Sequence, residues 1–419
     1  VSWVDPERVF AAVAARHDRM FWLDGGGARD WSGRFSYLGW LEPGEPSLTY
    51  DAGTREVREH DGRTSRVVGD DVFAALESRG GTWVGWFGYA SRPDLPALVG
   101  SAAPDACWMR VTRHLLFDHE HGTVEAHGVE SVPQIDVPLW TQRTVRLRST
   151  WTRGEYDEAF ARVQEELHAG NSYETNLTYR TQIECDADPA AVYLRLRTMN
   201  PAPYAGYLAH QGAAVLSSSP ERYATIGPDG MIETRPIKGT TPRAADPAAD
   251  AKLSEILRTD PKFRAENLMV VDLLRNDLAT VCRPGSVVVP DLMHVETYPS
   301  VHQLVTTIRG ELRAGISTVQ AIRALFPGGS MTGAPKLRTM QIIAEVESTP
   351  RGVYSGALGR IGQDGSADLG IVIRTLVAAG GMYTLGTGGG VTVGSDAATE
   401  YDETTWKAER LLRALGGTS

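Results

Sequence analysis

Long apolar runs are missing from this 419-residue sequence, so it offers no candidate membrane span. Its first residues, Val-Ser-Trp-Val-Asp-Pro-Glu-Arg, lack the basic and apolar regions of a signal peptide, and the expected location is cytoplasmic. Cysteine is scarce. Cys107, Cys185 and Cys282 lie far apart without Cys-x-x-Cys spacing, which argues against a disulfide framework and a zinc site. None of the three sits in a Gly-x-Cys-x-Gly elbow, so a glutaminase nucleophile is not expected within the chain. Clusters of Lys and Arg are absent as well. With 42 basic and 52 acidic residues the formal charge is −10, and no nucleic-acid partner is expected. A small anionic substrate stays open, because it needs only local positive charge.

What is present is an ordinary globular composition, 42% hydrophobic and 22% charged, in a chain long enough to bury a large core. The first 145 or so residues show short apolar runs broken by glycine, such as Trp83-Val84-Gly85-Trp86-Phe87-Gly88-Tyr89, and read as strands with tight turns. Thr152, three residues before Glu155 and followed by Tyr156, Phe160, Val163 and Leu167, reads as a capped helix ending at Gly170. Strands are expected at 175–183, 213–217, 286–290, 301–309, 353–361, 370–378 and 382–386. Helices are expected at 262–279 and about 396–415. The 262–279 segment is apolar around most of its circumference and is expected to be buried on all sides. Strands and helices mix without βαβ alternation, which points to an α+β fold.

Residues 235–240 read Arg-Pro-Ile-Lys-Gly-Thr, and the proline and glycine around Lys238 hold an amine in one place. Ser-Pro-Glu-Arg (219–222) lies upstream and Pro-Gly-Gly-Ser-Met-Thr-Gly-Ala-Pro-Lys (327–336) downstream. Gly328–Gly333 has the glycine spacing of a P-loop but is followed by Ala-Pro-Lys, so a nucleotide loop is rejected. Gly386-Thr-Gly-Gly-Gly390 follows a strand but no βαβ unit, so a dinucleotide site is rejected too. Glu400, Glu403 and Lys407 recur at i, i+3 and i+7 in the last helix and project within roughly 60° of one another. Glu403 and Lys407 also suit an ordinary surface pair. Glu266 opens the apolar 262–279 helix, where a buried carboxylate needs a partner. A cation bridging the two helices would supply one.

Together these blocks resemble the chorismate-utilising enzymes, from about Ser149 to Leu415 and more weakly before that. The 235–240 hexapeptide resembles their ammonia-using branch, aminodeoxychorismate synthase component I. The resemblance implies two large antiparallel sheets packed as a sandwich with helices outside, an N-terminal region (1–145) and a catalytic region (149–415). It implies chorismate and ammonia as substrates, and Mg²⁺ held by Glu266 and Glu403 with Glu400 acting through water. Lys238 is then the nucleophile at C2 and Glu221 the acid for the departing C4 hydroxyl. A free lysine is neutral at pH 7 only about once in a few thousand, so Lys238 needs desolvation or neighbouring cations to react.

Carried over as substrate contacts are Arg374, Tyr354, Thr332, Thr240, Gln303, Lys407 and the backbone amides of Gly388, Gly389 and Gly390, with Glu174 and Lys336 also in the set. Arg374, within apolar Ile371–Leu376, is expected to be paired, either in a structural salt bridge or with a substrate carboxylate. The sequence departs from the family pattern at four places. Phe263 replaces a fourth acid and Gln303 an active-site histidine, leaving His302 as a core residue. Glu174 stands where relatives often have glutamine and the water-adding ones lysine, which argues against isochorismate or salicylate synthesis. Leu23-Asp24-Gly25 replaces a Leu-Leu-Glu-Ser pattern, so a tryptophan pocket formed with Asn200–Tyr204 is one reading and plain core the other. Ammonia is expected from a separate glutaminase subunit. The alternatives are an anthranilate synthase large subunit, which usually carries alanine at the Lys238 position, and a non-catalytic module binding chorismate or tryptophan.

Overall fold

The computed structural model describes residues 3–26, 33–298 and 301–417. Two antiparallel sheets, of 11 and 12 strands among the described residues, form its framework. The first runs Arg146–Ser149, Glu174–Glu184, Met382–Val391, Thr375–Ala379, Ala213–Ser219, Tyr204–His210, Arg19–Asp24, Phe35–Trp40, His114–Asp118 and Thr123–His127. The second runs from Ile237–Pro242 and Val301–Glu311 through Met231–Arg235, Arg222–Ile226, Ala367–Ile371 and Ala357–Ile361 to Trp83–Phe87 and the N-terminal hairpins. N-terminal strands therefore sit in both sheets. Arg19–Asp24 pairs with Tyr204–His210, and Trp83–Phe87 pairs with Ala357–Ile361.

Alternation along each strand gives every sheet two faces to bury. Phe21, Leu208 and Val215 of the first sheet pack on Val84, Trp86, Cys107, Met109 and Leu358 of the second. The outer faces are covered by helices. Ala397–Leu415 and Pro189–Met199 pack on the first sheet, and Pro261–Ala279 and Thr318–Leu325 on the second. The Arg153–His168 helix begins in a full capping box between Thr152 and Glu155, as the sequence predicts.

Two expectations are corrected. The Pro261–Ala279 helix is not buried on all sides: Val270, Val271, Leu274 and Leu278 face the sheet, while Leu268 is exposed. Arg374 does not lie within a strand. The strand of the second sheet ends at Ile371 and the next, Thr375–Ala379, belongs to the first sheet, so residues 372–374 cross between them. Glu221 sits at a similar crossing, between Ala213–Ser219 of the first sheet and Arg222–Ile226 of the second. The Leu23–Gly25 and Asn200–Tyr204 segments have their polar groups met by the chain itself. Asp24 accepts from Gly26, Ser36, Tyr193 and Arg197, and Arg410 donates to Asn200 at 3.0 Å.

Candidate functional site

A cavity of about 620 Å³ opens where the ends of the two sheets meet the Pro261–Ala279 and Ala397–Leu415 helices. The Ile237–Pro242 strand brings Lys238 and Thr240 to it, and Val301–Glu311 brings Gln303. The crossings bring Glu221 and Arg374, and the helices bring Glu266, Glu400, Glu403 and Lys407. Gly239 follows Lys238 at φ 98°, where a side chain would also press on Leu257 and Phe263. Phe263 itself lines the wall at the place where the family pattern has an acid.

The glycine run has a steric cause. A Cβ on Gly386 would lie 2.2 Å from the Tyr354 ring, and one on Gly390 would lie 2.1 Å from Glu174 Oε1. On one side these glycines pair with residues 176–180. On the other the neighbouring strand stops at the Leu376–Leu385 pairing, leaving that edge of Gly386–Gly390 toward the cavity.

Lys238 Nζ donates to Glu174 Oε1 at 2.6 Å, a pair that joins the two sheets with side chains only 14% and 4% exposed. Burial alone would push the lysine down, but the Glu174 carboxylate overrides it and holds the amine above its ordinary value. The resting group is an ammonium. Arg235 and Arg243, the cations nearest in sequence, do not supply the repulsion a neutral amine would need: each is ion-paired, with Glu296 and Asp250.

Glu221 behaves oppositely. Its Oε1 is buried without a hydrogen-bond partner. Burial pushes the carboxyl up to about 7 against the pull of Lys238 and Lys407. It can carry a proton at neutral pH.

The three helix carboxylates are suited to a cation. Burial pushes Glu266 up to about 7 and raises Glu400 as well. Lys262 Nζ already stands 3.9 Å from Glu266 and 3.7 Å from Glu400, occupying a cation's place between the two helices. Burial also opposes charge on Glu403, but Lys407 at 2.6 Å prevails and keeps that carboxyl low. Lys407 donates a second bond to the Gly388 carbonyl at 2.8 Å, so it is more than a surface partner. Among the described residues the one set of three ligand groups within 4.8 Å is Asp118, Glu120 and His121, away from the cavity and engaged by Arg34.

Three expected contacts, Thr332, Lys336 and Glu174, lie outside the cavity wall. Thr332 is fully buried, donating to Gly328 and Gly329 carbonyls while its own carbonyl accepts from Asn176. Lys336 is locked to Asp277 at 2.7 Å and to the Leu325 carbonyl. Glu174 reaches the wall through its bond to Lys238. His302 lies buried between Asp250 and Thr297, at 3.0 and 2.9 Å. Arg374 has no carboxylate partner among the described residues; its guanidinium lies 5.5 Å from the centre of the Trp406 ring.

Sequence reasoning missed Trp406, Lys262 and the buried ions behind the wall. Lys262 stands one helical turn before Glu266, and Trp406 three residues after Glu403, spacings that place each on a cavity-facing stripe. Glu347 is gripped by Arg180 and Arg351, and Arg351 also donates to the carbonyls of Asn176 and Met331, fixing two wall residues.

Known proteins resemble this chain in sequence and in fold. The chain is 40% identical to an aminodeoxychorismate synthase of Streptomyces pristinaespiralis over 98% of its length, but spans only 64% of that relative. It is 37% identical to aminodeoxychorismate synthase component 1 of Salmonella typhimurium, covering 88% of each. Anthranilate synthase component I of Streptococcus pneumoniae superposes with a TM-score of 0.76 at 24% identity, over 90% of this chain and 92% of that one, and shares the fold. The sequence profile of the chorismate binding enzymes matches residues 49–413, from the N-terminal hairpins to the glutamate-bearing last helix. The chain belongs to the chorismate binding enzyme family.

Proposed function

We propose that the chain aminates chorismate at C4 with ammonia, giving 4-amino-4-deoxychorismate, the precursor of 4-aminobenzoate. The observation that carries this reading is the amine of Lys238 in one cavity with a carboxyl, Glu221, that keeps its proton near neutrality. Glu174, in contact with Lys238, receives the ammonium proton as substrate displaces water from the cavity. The freed amine forms a bond to C2, the ring double bond shifts, and the C4–O bond breaks. Glu221 protonates the departing hydroxyl, which leaves as water. Ammonia then bonds to C4, the shift reverses, and Lys238 leaves C2 as a neutral amine. Glu221 takes one proton from the new ammonium, so the sum is chorismate plus ammonia giving product plus water.

Glu266, Glu400 and Glu403 would hold Mg²⁺, a role supported by the position of Lys262 between Glu266 and Glu400. When bound, the ion supplies a fixed double charge for one substrate carboxylate. Arg374 meets the second carboxylate. All three cysteines are buried and none lies in a nucleophile elbow, so ammonia comes from a glutaminase outside these 419 residues.

The test is incubation of the purified chain with chorismate, Mg²⁺ and ammonium at mildly alkaline pH, with the product identified by chromatography and mass. Aminodeoxychorismate is expected. Anthranilate would sink the assignment of Lys238, and binding without turnover would favour a non-catalytic module. Lys238→Ala is expected to abolish product while leaving the fold intact; turnover at the wild-type rate would refute the covalent step.

A further inference from the structure

Arg374 is placed at some cost and then left without an acid. Its backbone takes a left-handed φ of 50°, which a non-glycine residue adopts only when its surroundings impose it. Its carbonyl is held by the Ser218 amide at 3.1 Å, anchoring the crossing between the sheets. Four other arginines near the cavity are ion-paired: Arg180 and Arg351 share Glu347, Arg222 pairs with Glu233, and Arg235 pairs with Glu296. For the Arg374 guanidinium the described residues provide no hydrogen bond and no ion pair, only the face of Trp406. Burial and the neighbouring Arg410 work against its charge and outweigh the support of Tyr354 and Glu403, so the site gains from an incoming anion.

Trp406 is as unusual as its partner. It lies on the cavity wall and 47% of it is exposed, on the same helix as Glu403 and Lys407. An aromatic face attracts a guanidinium through its quadrupole but carries no net charge. A carboxylate in its place would hold Arg374 equally well and cancel it. The ring restricts the guanidinium while leaving its N–H groups to an outside acceptor.

We infer that Trp406 is the positioning residue for Arg374, holding its guanidinium at the cavity wall as an un-neutralised cation that receives a carboxylate of the substrate. This rests on the proposed function only for the identity of that substrate. The ring sets affinity and takes no part in bond making.

The test compares wild type, Trp406→Ala, Trp406→Leu, Arg374→Ala and the Trp406→Ala/Arg374→Ala double variant. Chorismate binding is measured by calorimetry and the ammonia-dependent reaction by steady-state kinetics. Trp406→Ala is expected to weaken chorismate binding and raise KM about tenfold, between the values of an exposed and a desolvated cation–π contact, with kcat within about threefold of wild type. Trp406→Leu keeps apolar bulk without a π face and is expected to match Trp406→Ala, which separates the platform from simple packing. In the double variant the tryptophan change adds little to the loss from Arg374→Ala, because the ring acts through the arginine. Either single tryptophan variant binding like wild type, or a double variant whose losses add in full, would overturn the inference. Failure of the functional reading looks different: wild type would then not bind chorismate, or would yield another product.

Discussion

Glu221→Gln probes the acid, and the structure sets the size of the effect. The ordinary value of this carboxyl is 4.5, and burial pushes it to about 7. At pH 7 about half of the molecules carry the proton, against about one in 300 for an unperturbed glutamate. The fold thus multiplies the acid available at neutrality by roughly two orders of magnitude. Glutamine fills the same space and has no acidic proton, so kcat is expected to fall by at least about 100-fold. In the wild type, with free ammonia held constant, kcat should decline above pH 7 as the acid is lost.

The substitution acts on stability in the opposite sense. Between 4.5 and 7 the folded state keeps a proton that the unfolded state has released, so wild-type stability falls as pH rises through that window. The loss amounts to about 3 kcal/mol once both states are deprotonated. Glu221→Gln removes this penalty and should melt higher than wild type above neutrality. The assays are product formation against pH and thermal unfolding against pH. A variant that keeps its activity at pH 7, or one that gains no stability on the alkaline side, would refute the reasoning.

Three other outcomes are expected. Glu174→Gln removes the carboxylate that holds the Lys238 proton, so mapping of an amine-directed reagent by mass should show faster modification of Lys238 at neutral pH; an unchanged rate would mean that the pair does not control the amine. Glu266→Ala and Glu403→Ala should each weaken Mg²⁺ binding by roughly tenfold or more in titration calorimetry, and unaltered affinity in both would place the ion elsewhere. Lys336→Met strands Asp277 in a buried position and should cost about 3 kcal/mol in denaturant unfolding, with chorismate KM unchanged; a raised KM would return Lys336 to the substrate site.

Much of the site is legible in the chain because its chemistry is concentrated in short segments. Pro236 and Gly239 around Lys238, and the i, i+3, i+7 spacing of Glu400, Glu403 and Lys407, depend on neighbours within about two helical turns. The misreadings have a common origin. The Ile371–Leu376 run looks like one strand because apolar residues suit a strand and a sheet-to-sheet crossing equally, and no local signal marks Arg374 as the turning point. Pro261–Ala279 looks buried all round because composition does not tell a sheet-facing leucine from an exposed one such as Leu268. Lys336 resembles a binding lysine until Asp277, 59 positions away, is found beside it.

The sequence by itself determined the α+β class and the elements near the site, since periodicity and caps are local properties, and the resemblance carried by its short motifs pointed to the side chains proposed as nucleophile, acid and cation ligands. Only the tertiary structure decided the state of those groups. Lys238 and Glu174 stand on different sheets, 64 positions apart, and their 2.6 Å contact keeps the amine charged. Glu221 and Arg374 acquire their properties where the chain passes between the sheets, one buried without a hydrogen-bond partner at Oε1 and the other left facing an indole. Charge state follows from desolvation and from partners brought in by strand register, and neither quantity is written at a single position of the chain.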